Sequence, residues 1–242
     1  MSPFVTETAK ALEASGIDLS ALGLAWARCL PVVTLVPAFG MRALPAPARA
    51  VLGIALAASF SPALSAATMS THGLPWVAAA LVEVVRGLPI AISAAVPLWA
   101  ATSAGGLIDG LRGAQVDVSS PVVEGRTGVV GVLFSILASL LFLIGGGAAH
   151  VAQSLVSAPP SFGPVLLVVH ALTEGIGLAV ALAAPLIGAS IVLEVAFGLI
   201  AKAASPSQIH ALVAPLRAIA LLGILGLSLE RIEAFLALQM PH

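Results

Sequence analysis

Val129 to Ile144 reads VVGVLFSILASLLFLI, sixteen residues without a charge and apolar on every face. The stretch lies inside a longer uncharged run, Thr127 to Thr173, of 47 residues. Ala50 to Val82 (33 residues) and Gly87 to Ile108 (22 residues) are uncharged too. A bilayer core about 30 Å thick is crossed by roughly 20 apolar helical residues, so runs of this length belong in lipid rather than in a soluble core. A transmembrane barrel would show strands of about ten residues alternating apolar and polar, and Val129 to Ile144 does not alternate. Helices satisfy their backbone hydrogen bonds internally. The expected fold is therefore all-α, a polytopic membrane protein of about six apolar helical units.

The composition agrees. Of 242 residues 60% are hydrophobic and 9% charged, against about a quarter charged in soluble domains. The formal net charge is -1 and there is no basic block, which leaves no surface for nucleic-acid phosphates. One cysteine, Cys29, excludes an internal disulfide and a multi-cysteine metal site. Met1 to Gly16 carries Glu7, Lys10 and Glu13, unlike the basic start of a cleaved signal peptide, so the first apolar helix is expected to stay in the mature protein.

Working outward along the chain, Thr6 to Ser15 reads as a short polar helix stopped by Gly16, with Asp18 or Ser20 as a cap for the next helix, about Leu19 to Val36. Pro37, Gly40, Pro45 and Pro47 break the pattern and leave Arg42 and Arg49 in a short loop. That loop has two Arg and no acid, so the positive-inside rule places it in the cytoplasm and the N-terminus outside. Ala50 to Leu64 forms a second helix. Leu74 to Ile108 and Val165 to Ala201 exceed one simple crossing: the first is tilted, broken near Pro89 and Pro97, or only partly in lipid, and the second is expected to be interrupted at Glu174, Gly175 and Pro185. Val129 to Val156 contains Gly145, Gly146 and Gly147, a turn follows at Pro159 to Pro164, and His210 to Leu229 gives the last helix.

Between the apolar stretches, Gly105 to Gly128 changes character. It carries Asp109, Arg112, Asp117, Glu124 and Arg126, with glycines at 105, 106, 110, 113 and 125. It reads as a glycine-rich polar loop within one membrane domain spanning 1–242, which begins with a polar segment at 1–18. Gly106 and Gly110 have the small-xxx-small spacing that lets helices approach closely.

Six charges sit in apolar stretches: Arg28, Glu83, Arg86, Glu174, Glu194 and Arg217. An unpaired charge there costs at least about 2.5 kcal/mol, so each must face a partner or water. Glu83 and Arg86 are three apart and share a helix face; they are either a self-neutralised pair or a polar lining or subunit contact. Glu174 and Glu194 have no local basic neighbour, which leaves proton relay, pairing with Arg28 or Arg217, or contact with another subunit.

Enzyme chemistry finds no footing. His72, His150, His170 and His210 are scattered, and there is no H-E-x-x-H, G-x-S-x-G or phosphate loop. No catalytic, metal or cofactor site is expected. A proton-coupled secondary transporter would show inverted repeats with matching broken helices, and no internal repeat is seen.

Three segments in order resemble the type III secretion export-apparatus family of flagellar FliR and injectisome SctT. RCLPVVTLVPAFGMRALPAPARAVLGIALAASFSPAL (Arg28 to Leu64) resembles the family's Arg-containing helix followed by a P-x-x-G-x-R-x-x-P turn. AGGLIDGLRGAQVDVSSPVVEG (Ala104 to Gly125) is similar to its AG-x-x-I-D-x-x-R-G signature, and LIAKAASPSQIHALVAPLRAIALLGILG (Leu199 to Gly226) to its P-Q…P-x-K region, with Arg217 in the basic position. FLIGGG (Phe142 to Gly147) and APPSFGPV (Ala158 to Val165) extend the likeness over most of the chain. Ser119, Ser120 and Pro121 stand where the family usually has Asp-Pro. Ile108-Asp109 with Arg112-Gly113 looks more like the injectisome branch than the flagellar one.

The resemblance implies one subunit of a helical export gate in the bacterial inner membrane. The expected partners are lipid, SctR/FliP-like and SctS/FliQ-like subunits, an SctU/FlhB-like switch protein, and unfolded secreted proteins as cargo. Apparent spans would then be bent hairpins. A loop from about Gly106 to Glu124, with Gly106, Asp109, Gly110, Arg112, Gly113, Asp117 and Pro121, would project into the pore as a plug.

Overall fold

The computed structural model describes residues 18–40, 45–67, 74–111, 118–119, 126–157, 164–203 and 209–239. The expected helix over Thr6 to Ser15, Arg42 of the first loop, and Arg112, Gly113, Asp117 and Pro121 of the glycine-rich segment lie outside the described residues.

The described chain is helical apart from two two-residue strands: α1 Leu19–Leu35, α2 Pro37–Gly40, α3 Ala46–Ala67, α4 Trp76–Leu111, β1 Val118–Ser119, β2 Arg126–Thr127, α5 Val129–Ile144, α6 Gly147–Val156, α7 Pro164–Ala203 and α8 Ile209–Gln239. β1 and β2 pair antiparallel, Val118 with Thr127 and Ser119 with Arg126. The all-α membrane fold expected from composition is what forms.

Asp18 starts α1. Its Oδ1 accepts from the backbone N–H of Ser20 (2.9 Å) and Ala21 (3.1 Å), two groups the helix cannot satisfy itself. Those two bonds, to Ala21 first and then Ser20, hold the carboxyl below its ordinary pKa.

The long stretches do not break where their prolines suggested. α4 runs 36 residues through Pro89 and Pro97, and α7 runs 40 residues through Glu174, Gly175 and Pro185. At 1.5 Å per residue these are about 54 and 60 Å long, well beyond a bilayer core. A proline removes one helical bond, which is tolerated where packed neighbours hold the helix. The break falls instead at Gly145 and Gly146, between α5 and α6, where Gly146 has φ 80, a backbone conformation that favours glycine. Among the described residues two helices, Trp76–Leu111 and Val165–Ile200, are long and apolar enough to cross a membrane, and the bent pair α5 with α6 makes a third if it counts as one span.

The chain divides into two compact units: Met1–Ala95 with Ala148–His170, and Val96–Gly147 with Ala171–His242. In the first, the core is Ala25, Cys29, Val32 and Val33 of α1, Ala57 of α3, Ala79 and Ala91 of α4, and Val151 and Leu155 of α6. In the second, Val130, Phe134, Ala138 and Phe142 of α5 recur every fourth residue, as do Leu178, Leu182 and Leu186 of α7. One helix face is buried in each case. The opposite faces are apolar but exposed: Ile144 is 75% accessible, Ile176 70% and Leu227 86%. So much apolar surface suits lipid or protein neighbours, not water.

Candidate functional site

The first unit is tied together by charge. α1 and α4 cross where Gly87 lies against the backbone of Arg28; a Cβ at 87 would strike the Arg28 carbonyl oxygen and come 3.3 Å from Pro31 Cγ. Beside this crossing Glu83 is fully buried. Its Oε2 accepts from Arg28 Nε at 2.6 Å, and Arg28 Nη2 lies 2.5 Å from the same oxygen. Its Oε1 accepts from Arg86 Nη1 at 2.7 Å. Arg28 Nη1 donates onward to the carbonyl of Leu155, 3.1 Å away, in the last turn of α6. One carboxylate thus holds two guanidinium groups, and the carbonyl end of a helix takes part of the surplus positive charge. Three helices that are distant in sequence meet at one buried cluster.

The i,i+3 pair of Glu83 with Arg86 is present, and it shares its carboxylate with Arg28. Pairing with Glu174 or Glu194 is one of the alternatives the sequence leaves open for Arg28; its partner is Glu83, 55 residues away. No spacing signal connects those two, and only the need to neutralise Arg28 pointed to a carboxylate at all.

In the second unit, Arg217 of α8 reaches Glu194 of α7, Nη2 to Oε1 at 2.6 Å, and donates to the Ser190 hydroxyl at 3.0 Å. Ser190 is buried, while Glu194 is about half exposed. Glu174 sits exposed on α7, next to Gly175, whose Cβ would collide with Val96.

The glycine-rich segment begins later than its composition indicated. α4 continues through Gly105, Gly106, Asp109 and Gly110 to Leu111, because Ala101, Ala104 and Ile108 form a buried stripe that carries the helix onward. Asp109 is itself buried, and its Oδ2 accepts from the backbone N–H of Val130 (2.8 Å) and of Gly131 (3.1 Å) at the start of α5. Within the chain, α4 comes close to α5 at Gly105, the neighbour of the Gly106 and Gly110 pair. A Cβ on Gly105 would lie 2.6 Å from Gly131 Cα, whereas at Gly106 and Gly110 it would meet nothing within 4 Å. Among the described residues no group of three His, Cys, Asp or Glu side chains is placed to hold a metal ion.

Long apolar helices with outward-facing apolar surfaces, held by a few internal ion pairs, define an integral membrane protein built to pack among neighbours. Residues 19–240 match the family described as bacterial export proteins, family 1, and the chain belongs to that family, the one that contains FliR and SctT. The secretion system apparatus protein SsaT of Salmonella typhimurium (strain LT2) is 37% identical over 81 residues, 33% of this chain and 31% of that protein. The match therefore spans about a third of the length of the curated relative.

Proposed function

We propose that this chain is a subunit of the export gate of a type III secretion system, of the injectisome branch, set in the bacterial inner membrane. The observation that carries the reading is the family match over residues 19–240 on an all-helical membrane chain. The relative that aligns with a third of the chain is itself a secretion system apparatus protein. In this reading SctR/FliP-like, SctS/FliQ-like and SctU/FlhB-like subunits cover the apolar outer faces. The segment after α4, which includes Arg112, Gly113, Asp117 and Pro121, is the stopper that unfolded cargo displaces. The chain performs no covalent chemistry; its work is to line and close a conduit.

The test is genetic and electrical. Removing the chain from its host abolishes secretion of unfolded substrates, and re-expression restores it. Deleting residues 112–121 leaves the gate assembled but raises ion conductance across the membrane. Secretion that persists without the chain rejects the gate assignment; a membrane as tight as wild type after the deletion rejects the stopper.

A further inference from the structure

The neck from which that segment emerges is built with unusual economy. α5 begins after Gly128, which has no side chain to cap the helix. The cap comes from another helix: Asp109, in the last turn of α4 and 3% exposed, places Oδ2 on the N–H groups of Val130 and Gly131, 21 and 22 residues further along. A carboxylate there satisfies two otherwise orphaned donors and faces the positive end of the helix dipole. Glycine at 128 makes room for it, since a Cβ would overlap the Asp109 carboxyl group. One turn earlier on α4, Gly105 lets the α5 backbone come into contact at Gly131. Beyond the neck, Val118–Ser119 pairs with Arg126–Thr127.

We propose that Asp109 is a positioning residue, a latch that caps α5 from the end of α4 and fixes both feet of the segment between them. The functional half of the inference rests on reading that segment as the gate's stopper. With the feet fixed, cargo moves the stopper itself and leaves α4 and α5 in place. Without the latch, the first turn of α5 frays, the feet separate, and the resting gate leaks.

The test uses the full chain assembled with its native partners, with Cys29→Ala to remove the single thiol. Spin labels go at Leu107→Cys and Val129→Cys, both about half exposed, to report the width of the neck as a distance distribution. Asp109→Leu and Gly128→Ala each broaden the distribution and raise the resting ion leak several-fold. Because both break the same cap, the double variant is no worse than either single one. Asp109→Asn keeps an acceptor oxygen, and asparagine is a good cap, so it restores a narrow distribution and a tight membrane. An unchanged distribution in both Asp109→Leu and Gly128→Ala overturns the latch, as does an Asp109→Asn variant that behaves like Asp109→Leu. A broadened neck with an unchanged leak keeps the latch and overturns the stopper reading.

Discussion

Replacing Glu83 by alanine should be the most damaging single exchange in the first unit. The side chain is fully buried and accepts from Arg28 at 2.6 Å and Arg86 at 2.7 Å. Its removal strands the guanidinium of Arg28, 6% exposed at the side chain, with the Leu155 carbonyl as its remaining hydrogen-bond acceptor among the described residues. Breaking a buried pair by deleting one partner costs about 3–5 kcal/mol, because an uncompensated charge is left behind. For a domain of this size that lowers the melting temperature by roughly ten degrees. Arg86 is partly exposed and can turn its head outward, so Arg28 accounts for most of the loss. Thermal melting of the detergent-purified chain, followed by loss of helical circular dichroism, reads the effect. Glu83→Met combined with Arg28→Met removes both charges, and such apolar replacements are often neutral or stabilising. The double variant should therefore melt above Glu83→Ala. A Glu83→Ala chain that melts with wild type, or a double variant that melts below it, refutes the claim that Glu83 exists to neutralise Arg28.

Gly87→Ala forces a Cβ onto the Arg28 carbonyl, a backbone atom that cannot yield, and should cost about 1–3 kcal/mol in the same melt. Gly177→Ala, where a Cβ meets nothing within 4 Å, should be neutral or stabilise by up to about 1 kcal/mol. Arg217→Ala removes a contact to a half-exposed carboxylate, so its cost in detergent should stay below about 1 kcal/mol. A fall as large as that of Glu83→Ala would show that the pair is desolvated. Asp18→Ala loses two capping bonds, for about 1 kcal/mol at neutral pH. Because folding lowers the Asp18 pKa, its charge-dependent stabilisation is complete above the ordinary carboxylate value and lost as pH falls through the folded one. The gap between wild type and Asp18→Ala should therefore close in acid, and a gap that widens there contradicts the cap.

How much of this was legible in the sequence follows from what each signal depends on. Helix and membrane come from charge-free length, a property of each stretch alone, and Asp18 as a cap comes from one residue beside one apolar run. The effect of a proline depends on its surroundings: Pro185 reads as an interruption yet lies inside α7, and of the readings open for the stretch holding Pro89 and Pro97 a break is the one that did not form, while a bend is found at Gly146, where the backbone turns to positive φ. The glycines at 105, 106 and 110 looked alike, yet only Gly105 meets a facing backbone. Composition cannot say which of three neighbouring glycines faces a partner, nor that the helix continues past Ile108 to Leu111. Asp109 read as a loop residue because an acid amid glycines resembles a turn; its capping role needs Val130 and Gly131, which only the fold brings near.

The same distinction explains why a few polar contacts matter so much here. A leucine on the outer face of α7 or α8 gains little by moving from lipid tails to a protein neighbour, since both are apolar. Cohesion then falls to close packing and to groups that lipid cannot satisfy. The chain supplies both at the same places: Gly87 lets α1 and α4 touch where Glu83 binds Arg28, and Gly105 lets α4 and α5 touch one turn from where Asp109 caps α5. Small residues bring two backbones close enough for a short carboxylate to span the gap, and the carboxylate then fixes the register that the small residues alone leave free to slide. Exchanges at these crossings should accordingly disrupt the fold more than exchanges of larger, exposed apolar residues such as Ile176 or Leu227.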